Sequence, residues 1–198
     1  MTSRREMMEE HSKGAHQAYL THGFIEKHPE QGRWIIGPGG AYGNLWTDIA
    51  CLAGNKLYVG GDMGPLVFAY GPVHPVARVL WLAKERSPAD PVPKPDGYFM
   101  EKATIGMCAH DMVYEWNDDA ALSDLADLLE DEEDEDIRES MGEDIRSSIR
   151  CNDRQAVYDD LSRYGHDDCD YFGMFPRTRV FQAYAAIHRL GLLLRAEL

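Results

Sequence analysis

Two short stretches place thiol, imidazole and carboxylate side chains side by side: Cys108-Ala109-His110-Asp111 and His166-Asp167-Asp168-Cys169-Asp170. Zinc is held by thiolate and neutral imidazole, in sets that favour two short pairs such as C-x-x-C with H-x-x-x-H. Here one Cys-x-His and one His-x-x-Cys pair stand far apart in the chain, so a Cys2His2 shell departs from that spacing. The same stretches suggest metal-assisted phosphoester hydrolysis, which needs His and Asp around a shared ion. That reading uses His110, Asp111, His166 and Asp167. It is incomplete, because Asp170 follows His166-Asp167 too closely to serve as a late ligand. It is kept as the alternative; no metal or other cofactor is expected, and the balance leans away from an enzyme.

Other catalytic patterns are missing. The chain holds no G-x-S-x-G, no G-x-x-x-x-G-K-[ST], no H-E-x-x-H and no EF-hand loop. Gly60-Gly61-Asp62-Met63-Gly64 lies between two expected strands, whereas a phosphate cradle opens a helix. Tight hairpin geometry is the expectation there, and equally at Gly37-Pro38-Gly39-Gly40. Trp34, Trp46, Tyr58 and Phe68 are expected as packing aromatics, since no basic residues interleave them as a nucleic-acid platform requires.

The most distinctive feature is charge. Residues 111–170 hold 22 acids and 5 Lys/Arg, a formal charge of −17, in a chain of net −14. At its centre runs Glu130-Asp131-Glu132-Glu133-Asp134-Glu135-Asp136. A run of this kind can be a solvated helix end. It can also be a docking face whose carboxylates imitate nucleic-acid phosphates for a basic partner. The density exceeds what solubility needs, which supports the second reading. Asp118, Asp119, Asp124, Asp127, Asp131, Asp134 and Glu135 are assigned to that partner-binding face. The same charge repels nucleic acid itself, so direct nucleic-acid binding is not expected.

The elements that must carry these groups follow from pattern. Helices are expected over 5–22, 75–86, 119–136, 153–164 and 177–196, on apolar spacings such as Val76, Val79, Leu80 and Ala83. Strands are expected at 33–36, 45–52, 56–60 and 66–70, an antiparallel meander of about four strands punctuated by Gly54-Asn55 and Gly61–Gly64. Pro88, Pro91, Pro93 and Pro95 read as an extended linker. The fold class is therefore α+β: a small antiparallel β-meander packed on helices, plus a C-terminal helical unit. The expected division is 1–87, a linker at 88–97, and an acidic helical unit at 98–198.

The 198-residue chain is 44% hydrophobic, enough for a core, with no apolar run of membrane-spanning length and no signal-like N-terminus. A cytoplasmic protein with no membrane partner is expected, and its four cysteines are expected to be buried thiols.

One resemblance adds context. His16…Tyr19-Leu20…His22-Gly23-Phe24, Gly32-Arg33-Trp34, Gly61-Asp62-Met63-Gly64-Pro65-Leu66-Val67-Phe68, Trp81-Leu82 and Tyr98-Phe99-Met100-Glu101-Lys102 stand in that order. Over less than half the chain this resembles uncharacterised accessory proteins of bacteriophages and prophages, with a GD-x-G hairpin, a W-L helix and a YF-x-EK segment. The resemblance brings no catalytic residues. It implies a protein that binds host machinery in the bacterial cytoplasm, such as an inhibitor of a CRISPR or restriction complex. The function expected is stoichiometric binding of a basic host protein or nucleoprotein complex through the acidic helical region.

Overall fold

The computed structural model describes residues 3–38, 46–62, 64–83, 95, 99–103, 113–166 and 171–198. The chain forms two compact units. One comprises Met8–Val113 and Pro176–Leu198, the other Met1–Met7 and Tyr114–Phe175.

The first unit is built on a five-stranded antiparallel meander in sequence order: β1 (His22–His28), β2 (Arg33–Pro38), β3 (Thr47–Leu52), β4 (Lys56–Gly61) and β5 (Leu66–Ala69). Side chains alternate between faces, as strand geometry requires. Trp34, Ile36, Ile49, Leu57, Val59, Leu66 and Phe68 point inward and are buried. The β3–β4 turn is tight because Gly54 and Asn55 both take left-handed backbone, at φ 74° and 55°. Helix α2 (Pro75–Leu82) starts where the His74 imidazole accepts from the Val76 N–H and Pro75 fills the first position. Its partner is the long C-terminal helix α7 (Thr178–Arg195). A short helical segment at 99–103, α3, supplies Phe99. The Phe99 ring lies 4.6 Å from Phe68 of the sheet and 4.8 Å from Tyr184 of α7. The Tyr19 hydroxyl, near the end of α1 (Arg4–Tyr19), bonds Thr47 Oγ1 at 2.9 Å.

The second unit packs α4 (Asp118–Asp131), α5 (Glu135–Arg150) and α6 (Arg154–Arg163) around Leu125, Leu129, Met141, Ile145, Ile149, Val157, Leu161 and Phe172. A two-stranded sheet pairs β6 (Tyr114–Trp116) with β7 (Met174–Pro176). Each helix has a side-chain cap: Asn117 for α4, Asp134 for α5 and Asp153 for α6.

The α+β class, the antiparallel meander and the C-terminal helices expected from the sequence are present. Three details differ. Helix α1 stops at Tyr19 and residues 22–28 form a fifth, edge strand. Helix α4 ends at Asp131 and a separate helix, α5, begins at Glu135. The units also divide differently from 1–87 and 98–198: α7 belongs with the sheet, because Val180, Phe181, Tyr184, Ile187 and Leu190 make an apolar stripe that is buried within that unit. Apart from Pro95, the Pro-rich segment 88–97 lies outside the described residues. Among the described residues no helix is long and apolar enough to cross a membrane.

Candidate acidic docking surface

The acidic unit holds 22 acids and 7 Lys/Arg, a formal charge of −15, leaving the sheet-bearing unit close to neutral. The described carboxylates fall into two groups. The first has structural work. Asp124 receives Arg4 Nη1 on both oxygens, at 2.8 and 2.7 Å, and the Gly173 N–H at 2.8 Å. The Arg4 backbone N–H donates to Ser123 Oγ at 2.9 Å, and its guanidinium also reaches the Met174 carbonyl. Asp118 accepts from Trp116 Nε1 at 2.6 Å. Asp134 accepts the Asp136 and Ile137 N–H groups, and Glu135 pairs with Arg138 at 2.5 Å. Asp160 is buried and satisfied by Ser148 and Arg163, while Asp144 takes the Tyr164 hydroxyl at 2.8 Å and Arg163 at 3.2 Å. The hydrogen bond that the Tyr164 hydroxyl donates to Asp144 is the main reason its phenol sits above its ordinary pKa.

The second group is exposed and makes no ion pair or side-chain hydrogen bond among the described residues. It consists of Asp119, Asp127, Glu130 and Asp131 on α4, Glu133 in the link, and Asp136, Glu139 and Glu143 on α5. Apart from Asp119, these seven run from the last two turns of α4 through the link to the middle of α5. Helices α4 and α5 pack on each other, so this charge is concentrated in one region. They approach closely at Gly142, where an added Cβ would stand 3.2 Å from Leu129 Cδ1. Beside this region, Asp127 and Asp131 line an open hollow of about 380 Å3 with Arg4, Leu128, Tyr171 and Phe172.

The seven residues assigned from sequence therefore separate. Asp119, Asp127 and Asp131 are exposed and unpaired, and the last two share the α4 stripe. Asp118, Asp124, Asp134 and Glu135 each have a partner inside the unit, and Asp124 is largely covered, with 17% side-chain exposure. Glu130, Glu133, Asp136, Glu139 and Glu143 complete the free set; periodicity along α5 was the signal that would have placed the last two.

Of the groups considered for metal chemistry, Cys108, His110, Asp111, Asp167, Asp168, Cys169 and Asp170 lie outside the described residues; His166 is half-buried. Among the described residues no three His, Cys, Asp or Glu side chains gather as a metal site. The thiols differ from the buried expectation: Cys151 is exposed just beyond α5, because that helix buries Ile149 and turns its end outward. Cys51 is half-buried, and burial pushes its thiol above the ordinary pKa, away from nucleophilic chemistry.

No family model, no curated protein and no solved structure matches the chain.

Proposed function

We propose that the chain acts by stoichiometric binding: its acidic unit docks on a basic, nucleic-acid-binding protein and offers carboxylates where that protein receives phosphates. The observation that supports this most is the set of free carboxylates on α4, the link and α5. Apart from Asp136, which sits favourably in the first turn of α5, folding does not call for them. Asp127, Glu130 and Asp131 crowd the C-terminal end of α4, where the helix dipole is already negative, and no basic residue occupies its last turn. Solubility does not call for them either, since a small domain is well served by a net charge of roughly 2–8 and this unit carries −15. Such a concentration steers a basic surface at long range.

Taken with the resemblance to phage accessory proteins, the partner is a host-defence nucleoprotein of CRISPR or restriction type in the bacterial cytoplasm, and the chain is its inhibitor. The test is capture on the immobilised protein from a bacterial lysate, followed by competition. The expected partner is a basic nucleic-acid-binding protein that elutes as salt is raised and is displaced by its own nucleic acid. A partner held equally in the presence of saturating nucleic acid would overturn the mimicry.

A further inference from the structure

The outer face of the five-stranded sheet is a second surface with its own chemistry, in the near-neutral unit. Strand alternation turns Ile35, Ala50, Tyr58 and Val67 outward, opposite the buried Trp34, Ile49, Leu57 and Phe68. Ile25, Trp46 and Leu52 join them and are 56%, 46% and 44% exposed. Two glycines keep this face in low relief. Ile25 Cδ1 lies where a side chain on Gly37 would begin, 2.3 Å from its ideal Cβ, with Trp46 Cβ 3.8 Å from the same point. The Tyr58 hydroxyl likewise lies 2.1 Å from the ideal Cβ of Gly60, so the phenol rests across the strand. The face also closes its own charge. Arg33 donates from Nε and Nη2 to the two oxygens of Asp48 at 2.9 and 2.7 Å. Glu26 and Lys56 add one charge of each sign.

We propose that this face is an interface with a second copy of the chain, formed by two sheets stacked face to face. Three features select that occupant. Two identical sheets carry the same right-handed twist, so flat faces related by a two-fold axis match at the small angle of aligned sheet packing. The Arg33–Asp48 pair is already closed within the face, so covering it breaks no ion pair there, whereas a strongly basic or acidic partner would find little net charge to answer it. The area is also sufficient: five strands about 4.8 Å apart and roughly six residues long make a plane of roughly 20 by 20 Å, and side-chain relief on two copies brings the buried total near the ~1,000 Å2 that a specific interface needs.

This inference does not depend on the acidic docking surface, and salt separates the two. Each copy carries a net charge of −14, so screening should strengthen self-association, while it weakens binding of a basic partner. The experiment is sedimentation equilibrium of the full chain from nanomolar to high micromolar concentration, at low and physiological salt. The expected result is a concentration-dependent rise from the 22.4 kDa monomer to twice that mass, shifted to lower concentration by salt. Ile25→Thr with Trp46→Thr puts a β-branched residue at both positions, in β1 and just before β3, and should hold the circular dichroism of the parent while weakening the dimer at least tenfold. Should that pair fail to fold, Leu52→Lys at an exposed site makes the same test. A parent chain that stays monomeric throughout, whether because its own residues cover the face or because solvent does, overturns the proposal. So does a folded variant that dimerises as strongly as the parent.

Discussion

Arg4 and Asp124 are joined across 120 residues of sequence, one guanidinium nitrogen reaching both carboxylate oxygens at 2.8 and 2.7 Å. Neither side chain is fully covered, with 30% and 17% exposure, so solvent screens part of the attraction. Removing one partner still leaves the other partly desolvated. Arg4→Met should therefore cost about 1–2 kcal/mol, read as a lower denaturant midpoint. Asp124→Ala should cost more than Arg4→Met, because it also orphans the Gly173 N–H. The double variant should be less damaged than the sum, since both changes remove the same contact. Strict additivity would show that the pair contributes no coupling.

The same pairing refines which acids serve docking. Asp127→Asn, Glu130→Gln, Asp131→Asn and Glu133→Gln together remove four charges that have no internal partner. That variant should fold, gain a few tenths of a kcal/mol to about 1 kcal/mol as the α4 C-terminus is relieved, and associate more slowly with its basic partner. Replacing Asp118, Asp124, Asp134 and Glu135 with alanine should instead damage stability, with loss of the Asp134 cap alone costing about 1 kcal/mol. Stopped-flow association and urea titration on both variants distinguish them. Equal on-rates for the first variant and the parent at low salt would assign the free carboxylates to solvation alone.

The sequence made the sheet legible where alternation was strong, as at Leu57 and Val59, and where turns were marked, as at Gly54-Asn55. It hid β1, because His22–His28 is an edge strand with Ile25 turned outward and Glu26 and Lys27 exposed, so no buried alternation stands out. It hid α5 behind its acids, although Ile137, Met141, Ile145 and Ile149 recur every fourth residue, the last three buried. The acidic run looked continuous, yet Asp134 spends its carboxylate on the N–H groups that open α5. Nothing local to Asp124 announces Arg4, since the contact is made only when distant segments meet. A docking face read from charge alone therefore mixes free carboxylates with those the fold has consumed.

Helices α2 and α7 meet at Gly191. A Cβ there would stand 2.5 Å from Ala83 Cβ and 2.5 Å from the Val79 carbonyl oxygen, so even alanine forces the helices apart. Gly191 is helical and buried, and the usual gain from replacing a helical glycine by alanine is outweighed. Gly191→Ala should destabilise by about 1–3 kcal/mol, the cost of overpacking. Gly14, on exposed α1 with nothing within 4 Å of its ideal Cβ, is the control, and Gly14→Ala should raise stability instead. Parallel thermal melts test the pair, and equal shifts of the same sign would refute the close-contact explanation.

Tyr19 sets an alkaline limit on the sheet-bearing unit. Its ring is 2% exposed and its hydroxyl bonds Thr47 Oγ1 at 2.9 Å. Burial raises its pKa above the ordinary value of 10.0; the Thr47 bond works against this and the Asp62 charge adds to it. The folded chain thus holds this proton more tightly than the unfolded chain does. The resulting stability is complete below the unfolded pKa and is lost as pH rises through the folded one. Tyr114, raised mainly by burial, and Tyr164, raised mainly by Asp144, act in the same direction. The unfolding free energy should therefore fall from about pH 10 upward, with little contribution from these phenols below about pH 9. Tyr19→Phe removes one of these protons and the Thr47 bond together. It should lower stability near neutrality by about 1 kcal/mol, yet flatten the alkaline decline, so that the two curves converge as pH rises. Urea titrations of both proteins across that range test this, and parallel curves would show that Tyr19 does not titrate in the folded chain's transition.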